Sequence, residues 1–363
     1  MHIRISPAFV AIVTLAFFGC AERPRTSESV AVKIDSLFSP FAAPGRPGAS
    51  VLVLQNDTVL VRKAYGLADV AAAVPATPET NYRLASLTKE FTATAILLLV
   101  RDGKLTLDTP ITDVLTTFPQ YGRSIRVRHL LSHTSGLHDY EDFVPDSQTR
   151  QIKDAEVLEL LRTRTDSTYF APGSAFRYSN SGYALLALIV ERASGMRFAD
   201  FLRQRIFDPA GLHATVAFED GISTVERRAY GHTVTGDSVA RTDQSNTSAV
   251  LGDGGVYSSI DDLARWIRVL PTGVVLDSAS WLSATTAAVL SDGTPSEYGF
   301  GWFVDQFHGH RRLRHHGETR GFTNSIMLFP DDRLSIVVLT NRTDSSPWNI
   351  VEEIATTLLP PRT

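Results

Sequence analysis

A chain of 363 residues, 43% hydrophobic and 20% charged, is long enough for two lobes or one large domain with an insertion. Its formal net charge of -4, with no long basic stretch, gives no reason to expect a nucleic-acid partner. A single cysteine excludes any disulfide within the chain.

The first segment reads as a leader. Arg4 is its clear positive charge, and residues 5–18 are mostly apolar but too short for a comfortable membrane span. The run closes on Phe17-Phe18-Gly19-Cys20, and Cys20 is the sole cysteine. A cysteine directly after a small residue at the end of such a run fits a bacterial lipoprotein processing site, although Phe17 stands where that pattern usually has leucine. An ordinary signal peptide with an incidental cysteine fits as well. The position of Cys20 favours lipidation, with residues 1–19 as signal peptide and 20–30 as a polar tether. More than one acyl chain on Cys20 would give stable anchoring. Ala21 does not resemble an inner-membrane retention signal, so the expected location is the bacterial cell envelope, as a periplasm-facing lipoprotein of the outer membrane.

Residues 31–363 read as one domain. Residues 51–55 and 59–64 are β-rich runs around Asn56-Asp57-Thr58, which predicts a hairpin. A helix is predicted to begin at Ser86. Residues 91–100 are apolar but for two threonines, as expected of a core helix, and Gly103 is placed to end it. The middle, about 106–250, is richer in helix signals: 154–164 and 183–194 have helical apolar spacing, with Gly195 as a cap. Strand-like runs return at 299–307, 311–315, 323–329 and 334–340. Short turns join them, so neighbours should be antiparallel. One sheet drawing strands from both chain ends makes the middle an insertion. The fold class expected is α/β: a central antiparallel sheet flanked by helices, with an inserted, mainly helical lobe.

The chemistry starts at Ser86-Leu87-Thr88-Lys89. Residues three apart share a helical face, and a serine in the first turn feels the positive end of the helix dipole. Lysine can take the serine proton only when neutral, which requires burial or nearby positive charge. By itself the motif is weak, since a chain this long holds about one by chance. Tyr178-Ser179-Asn180 follows a turn at Pro172-Gly173, and His315-His316-Gly317 lies among the last strands. Together these supply a hydroxyl nucleophile, an amine, a phenol, an amide and a backbone oxyanion site, enough for acyl transfer through a covalent serine ester. His129, His133 and His138, and His308, His310, His315 and His316, match no zinc signature in their spacing.

The surrounding blocks sharpen this. They are the run from Tyr82 to Lys89, His129 to Leu137 (which holds His133-Thr134-Ser135-Gly136), Pro172 to Tyr183, Gly254-Gly255-Val256-Tyr257-Ser258, and His315 to Phe322. In order and spacing the chain resembles the serine β-lactamase and penicillin-binding-protein superfamily, on its class C-like branch, from about Pro47 to about Thr340. That branch includes class C β-lactamases, DD-peptidases, D-aminopeptidases and family VIII carboxylesterases.

The resemblance implies a β-lactamase/transpeptidase-like fold and a cleft between lobes with Ser86, the nucleophile, at its base. Lys89 and Tyr178 would handle the proton; which of them is the base stays open. Asn180 would hydrogen-bond Lys89 and the substrate. His315 stands where the superfamily's Lys-Thr-Gly triplet has its lysine, and Gly317 would let substrate backbone approach. The oxyanion site would be the N–H groups of Ser86 and Glu318, the latter where relatives usually place Gly, Ala or Ser. Arg320 is close enough in sequence to restore a positive charge. His133 falls in a block that looks structural in this superfamily.

The expected activity is hydrolysis of an ester, amide or lactam through an acyl-Ser86 intermediate, with no metal or organic cofactor. The expected substrate is a small ester or D-amino-acid peptide. A class C-like β-lactamase, an acylated penicillin-binding sensor without turnover, and an inactive scaffold are the rival readings.

Overall fold

The computed structural model describes residues 27–145 and 147–362. The expected leader, Cys20 and the first part of the tether lie outside the described residues. The end of that tether is helical: α1 spans Ser27–Leu37, and Val30, Ile34 and Phe38, at four-residue spacing, are buried. Helix α1 thus crosses the expected boundary at residue 31.

Six strands form the main sheet: β1 (Ala49–Gln55), β2 (Thr58–Tyr65), β3 (Phe303–Phe307), β4 (His310–Thr319), β5 (Phe322–Phe329) and β6 (Leu334–Thr340). Their order is β3-β4-β5-β6-β1-β2, and every neighbouring pair is antiparallel. The N-terminal hairpin is thus sewn to the C-terminal meander through β1 and β6. Its turn is tight because Asn56 and Asp57 both take positive φ, 50° and 63°, as a two-residue primed turn needs.

Strand β1 is apolar on both faces because both are covered. Leu52 and Leu54 belong to the larger core, while Val51 and Val53 face a second core against α1 and α6 (Pro347–Leu358). The larger core holds α2 (Lys89–Arg101), α3 (Asp154–Arg164), α4 (Asn180–Ser194) and α5 (Ile260–Val269). Gly195 caps α4 at φ 73°. Helices also continue past residue 250, in α5 and Ser278–Ala284.

Two expectations are corrected. The run 299–307 is a strand only from Phe303; before it, Gly301 at φ 82° turns the chain against the backbone of Glu90, where a Cβ would come within 2.7 Å of Glu90 Cα. And Ser86 does not begin an α-helix. It lies in a 3₁₀ turn, Ala85–Thr88, with Lys89 as the first residue of α2. Ala85 carries φ 51°, an unusual value for a residue with a Cβ, so the turn is held by its surroundings. Among the described residues no helix is long and apolar enough to cross a membrane.

Candidate active site

Ser86 is half-buried and Lys89 fully buried. Lys89 Nζ lies 3.1 Å from Ser86 Oγ, 2.8 Å from Asn180 Oδ1 and 2.9 Å from the Asp253 carbonyl oxygen. The last two are pure acceptors, so the amine has one position left and it faces the serine. As an ammonium it donates there; as an amine it can take the hydroxyl proton.

Three elements converge to make this contact. Asn180 is the first residue of α4, and its N–H is satisfied by Asp139 Oδ2 at 3.1 Å, which fixes the start of the helix. The Asp253 carbonyl is presented by the turn Leu251–Gly254. That turn is pinned from below: the buried Asp154 carboxylate accepts the Leu251 and Gly252 N–H groups at 2.9 and 3.0 Å, and Thr92 Oγ1 donates to the Gly252 carbonyl at 2.7 Å. The third element is the turn carrying Ser86. Gly317 on β4 abuts it; a methyl there would be driven into the Leu84 carbonyl oxygen and would lie 3.2 Å from Ser86 N. Glycine is required at 317 by this approach.

Tyr178 is reached by an irregular segment that turns at Gly173, φ 85°. Its ring centroid is 5.0 Å from Lys89 Nζ, it stacks on Phe303 at an interplanar angle of 3°, and its hydroxyl is buried without a hydrogen bond to any described residue. Asn180, Lys89 and Ser86 are therefore bonded together, while Tyr178 stands beside Lys89 with its oxygen unbonded.

His315 is nearly inaccessible, and both its nitrogens are occupied. Nδ1 lies 2.7 Å from the His316 carbonyl, which can only accept, so Nδ1 carries the hydrogen; Nε2 then accepts the Tyr298 hydroxyl at 2.9 Å. Burial, and after it the Lys89 charge, holds its pKa well below the ordinary value. His315 is thus a neutral, fully bonded residue buried on the same face of β4 as Gly317. On the other face of β4, His316 and Glu318 are exposed and border a hollow of about 340 Å³ that also touches Arg314 and Trp348.

Carboxylates crowd the helical side. Burial pushes Asp253 up to about 7, with Lys89 opposing, and its Oδ2 accepts the Tyr140 hydroxyl at 2.8 Å. Glu141 is exposed at the rim, yet partial desolvation and repulsion from Asp139 and Asp253 raise it to about 7. Burial also raises Asp139. A groove of about 560 Å³, lined by Leu107, His129, Pro172, Leu282 and Phe300, touches none of Ser86, Lys89 or Tyr178. Among the described residues no group of three or more His, Cys, Asp or Glu side chains is placed to hold a metal ion.

A family model described as Beta-lactamase matches residues 34–355. The chain belongs to that family. It is a serine hydrolase of the β-lactamase and penicillin-binding-protein superfamily, class C-like branch, and its central sheet with flanking and inserted helices is that superfamily's architecture. It is 30% identical over 329 residues to penicillin-binding protein 4* of Bacillus subtilis, covering 87% of this chain and 72% of that protein. It is 31% identical over 308 residues to a D-aminopeptidase of Brucella canis, covering 81% of this chain but 56% of that protein's length. In structure it is similar to a D-amino acid amidase of Ochrobactrum anthropi complexed with L-phenylalanine amide, with a TM-score of 0.77, 25% identity, and coverage of 91% and 98% of the two chains.

Asp253, Tyr298 and Asp139 escaped the sequence reading. Asp253 directly precedes the Gly254-Gly255 block, but it is its carbonyl that meets Lys89, and nothing in a side chain signals a carbonyl's partner.

Proposed function

We propose that Ser86 is the nucleophile of an acyl-transfer reaction in which Lys89 and Tyr178 share the proton. Ser86 Oγ attacks the substrate carbonyl and its proton passes to the Lys89–Tyr178 pair. The oxyanion is received by the N–H groups of Ser86 and Glu318. Collapse returns the proton through Tyr178 to the leaving group, and water then releases the acid from Ser86 by the reverse sequence. The observation that carries this reading is the 3.1 Å approach of Lys89 Nζ to Ser86 Oγ with its other two bonds committed.

The substrate class proposed is a small ester or a D-amino-acid amide or peptide. Two features support it over a β-lactam. His315 offers no charge to a carboxylate, and the carboxyl groups of Asp139 and Glu141 lie on the helical side, near enough to Lys89 to feel its charge. The likeness to a D-aminopeptidase and a D-amino acid amidase points the same way. The second reading, a penicillin-binding protein that is acylated, draws on the likeness to penicillin-binding protein 4*. A screen of purified protein against short-chain p-nitrophenyl esters, D-amino-acid amides and a chromogenic cephalosporin separates them. Turnover of the first two groups supports the proposal; stoichiometric acylation by the cephalosporin without ester or amide turnover favours the second reading.

We also propose that Cys20 is the lipidated N-terminus of the mature, periplasm-facing protein, on the sequence pattern alone. Cells fed labelled palmitate should incorporate it, and Cys20→Ser should abolish incorporation; an unlabelled product rules the anchor out.

A further inference from the structure

His133 holds Tyr178 from three sides. Its backbone carbonyl accepts the Arg177 N–H at 2.9 Å, and its ring Nδ1 accepts the Ser179 N–H at 3.1 Å. The two residues flanking Tyr178 in sequence are thus bonded to one residue. The third side is the ring itself, whose centroid lies 4.2 Å from that of Tyr178. His133 can reach both neighbours because its φ is 57°, a left-handed backbone that points carbonyl and side chain to the same segment.

The protonation state follows from these partners. A backbone N–H can only donate, so Nδ1 must be bare and the hydrogen sits on Nε2. That nitrogen is buried without a hydrogen-bond partner among the described residues, in a wall shared with Tyr183 and Tyr298, at ring distances of 5.1 and 4.5 Å. The neutral ring is maintained by burial, and next by the Lys89 charge. A protonated imidazole would set Nδ1–H against the Ser179 N–H and break the clamp.

We propose that His133 is the positioning residue of Tyr178: a neutral, Nε2–H imidazole that fixes the chain on both sides of the phenol and leaves its oxygen unbonded for proton transfer. This rests on the reading of Tyr178 as a proton-transfer group. Ser179 also precedes α4, so the same bond sets where Asn180 enters the site. One residue therefore registers two functional side chains against Lys89, without touching substrate.

The test compares the acceptor with the ring. His133→Phe keeps an aromatic ring and removes the acceptor. His133→Asn loses the ring but keeps an acceptor oxygen near the Nδ1 position and tolerates a left-handed backbone. On a neutral p-nitrophenyl ester, His133→Phe should lose about a hundredfold in kcat with little change in KM, as expected when a reacting group is misplaced by an ångström. His133→Asn should recover most of that loss. Equal losses in both variants, or full kcat in His133→Phe, overturn the proposal.

Tyr178→Phe separates this from the underlying reading. A fully active Tyr178→Phe sinks the role of Tyr178 itself, and the clamp with it. An inactive Tyr178→Phe beside a fully active His133→Phe sinks the clamp alone. If His133→Phe does not fold, nitrogen NMR of the wild-type imidazole decides. A bare Nδ1 and a protonated Nε2 support the clamp, and the opposite tautomer overturns it.

Discussion

The Tyr298 hydroxyl donates to His315 Nε2 across 2.9 Å, and with Nδ1 held by the His316 carbonyl this leaves the histidine no group to offer a substrate. A substrate carboxylate therefore loses a charge-assisted hydrogen bond that a permanent cation would give, worth about 1.5–3 kcal/mol, or roughly ten- to a hundredfold. A neutral ester loses nothing. The expected outcome is a higher kcat/KM for a short-chain ester than for a cephalosporin under the same conditions. Arg320 is exposed at the turn after β4 and forms no ion pair among the described residues. If the cephalosporin wins and Arg320→Ala removes its advantage, that arginine is the carboxylate anchor and the charge argument fails.

Lys89 and Tyr178 should behave as one unit. Each single removal should lower kcat by about a hundredfold to ten-thousandfold, and the double variant should be little worse than the more damaging single one. Initial rates of Lys89→Ala, Tyr178→Phe and the pair check this. Multiplicative losses would assign them separate tasks.

Glu90, next to Lys89 in the chain, is a pH-dependent weight on stability. It is buried, its carboxyl group accepts only the Trp266 Nε1–H among the described residues, at 2.8 Å, and burial raises its pKa from 4.5 to about 8. Between those values the folded chain keeps a proton that the unfolded chain has released. The contribution is complete below pH 4.5 and is lost as pH rises through 8. Glu90→Gln keeps the acceptor and cannot ionise. Its Tm relative to wild type should rise between pH 5 and pH 9; a constant offset would contradict the buried, protonated acid.

Gly317→Ala should damage the site more than the fold. The added methyl meets the Leu84 carbonyl and the Ser86 turn, which must move away from β4. A destabilisation of about 1–3 kcal/mol is expected from the overpacking, with a larger loss in kcat because the serine is displaced. Thermal melts and ester kinetics on one preparation test it. Wild-type kcat would show that the close approach is dispensable.

What the sequence made legible was local. The 56–57 turn has the residues a tight hairpin uses, and helix Asp154–Arg164 appears at its expected bounds because its apolar spacing is unbroken. Helix α5 was missed although Ser259, whose side chain accepts the Asp262 N–H, is a readable cap. Helix α6 lay beyond the resemblance, with Pro347 at its start as the unused signal. The Ser86 turn could not have been read. Its 3₁₀ form and the φ of Ala85 depend on the backbone of Gly317 and Gly254, both distant in sequence. The same holds for Lys89 and the Asp253 carbonyl, 164 positions apart. Motifs named the reacting side chains; the groups that hold them were tertiary.

The central claim is that Ser86 becomes acylated. Purified protein treated with a fluorophosphonate probe and analysed by intact and peptide mass should gain one adduct, carried by the peptide containing Ser86, and Ser86→Ala should gain none. An equal adduct on Ser86→Ala, or an adduct on another residue of the wild type, would contradict the account.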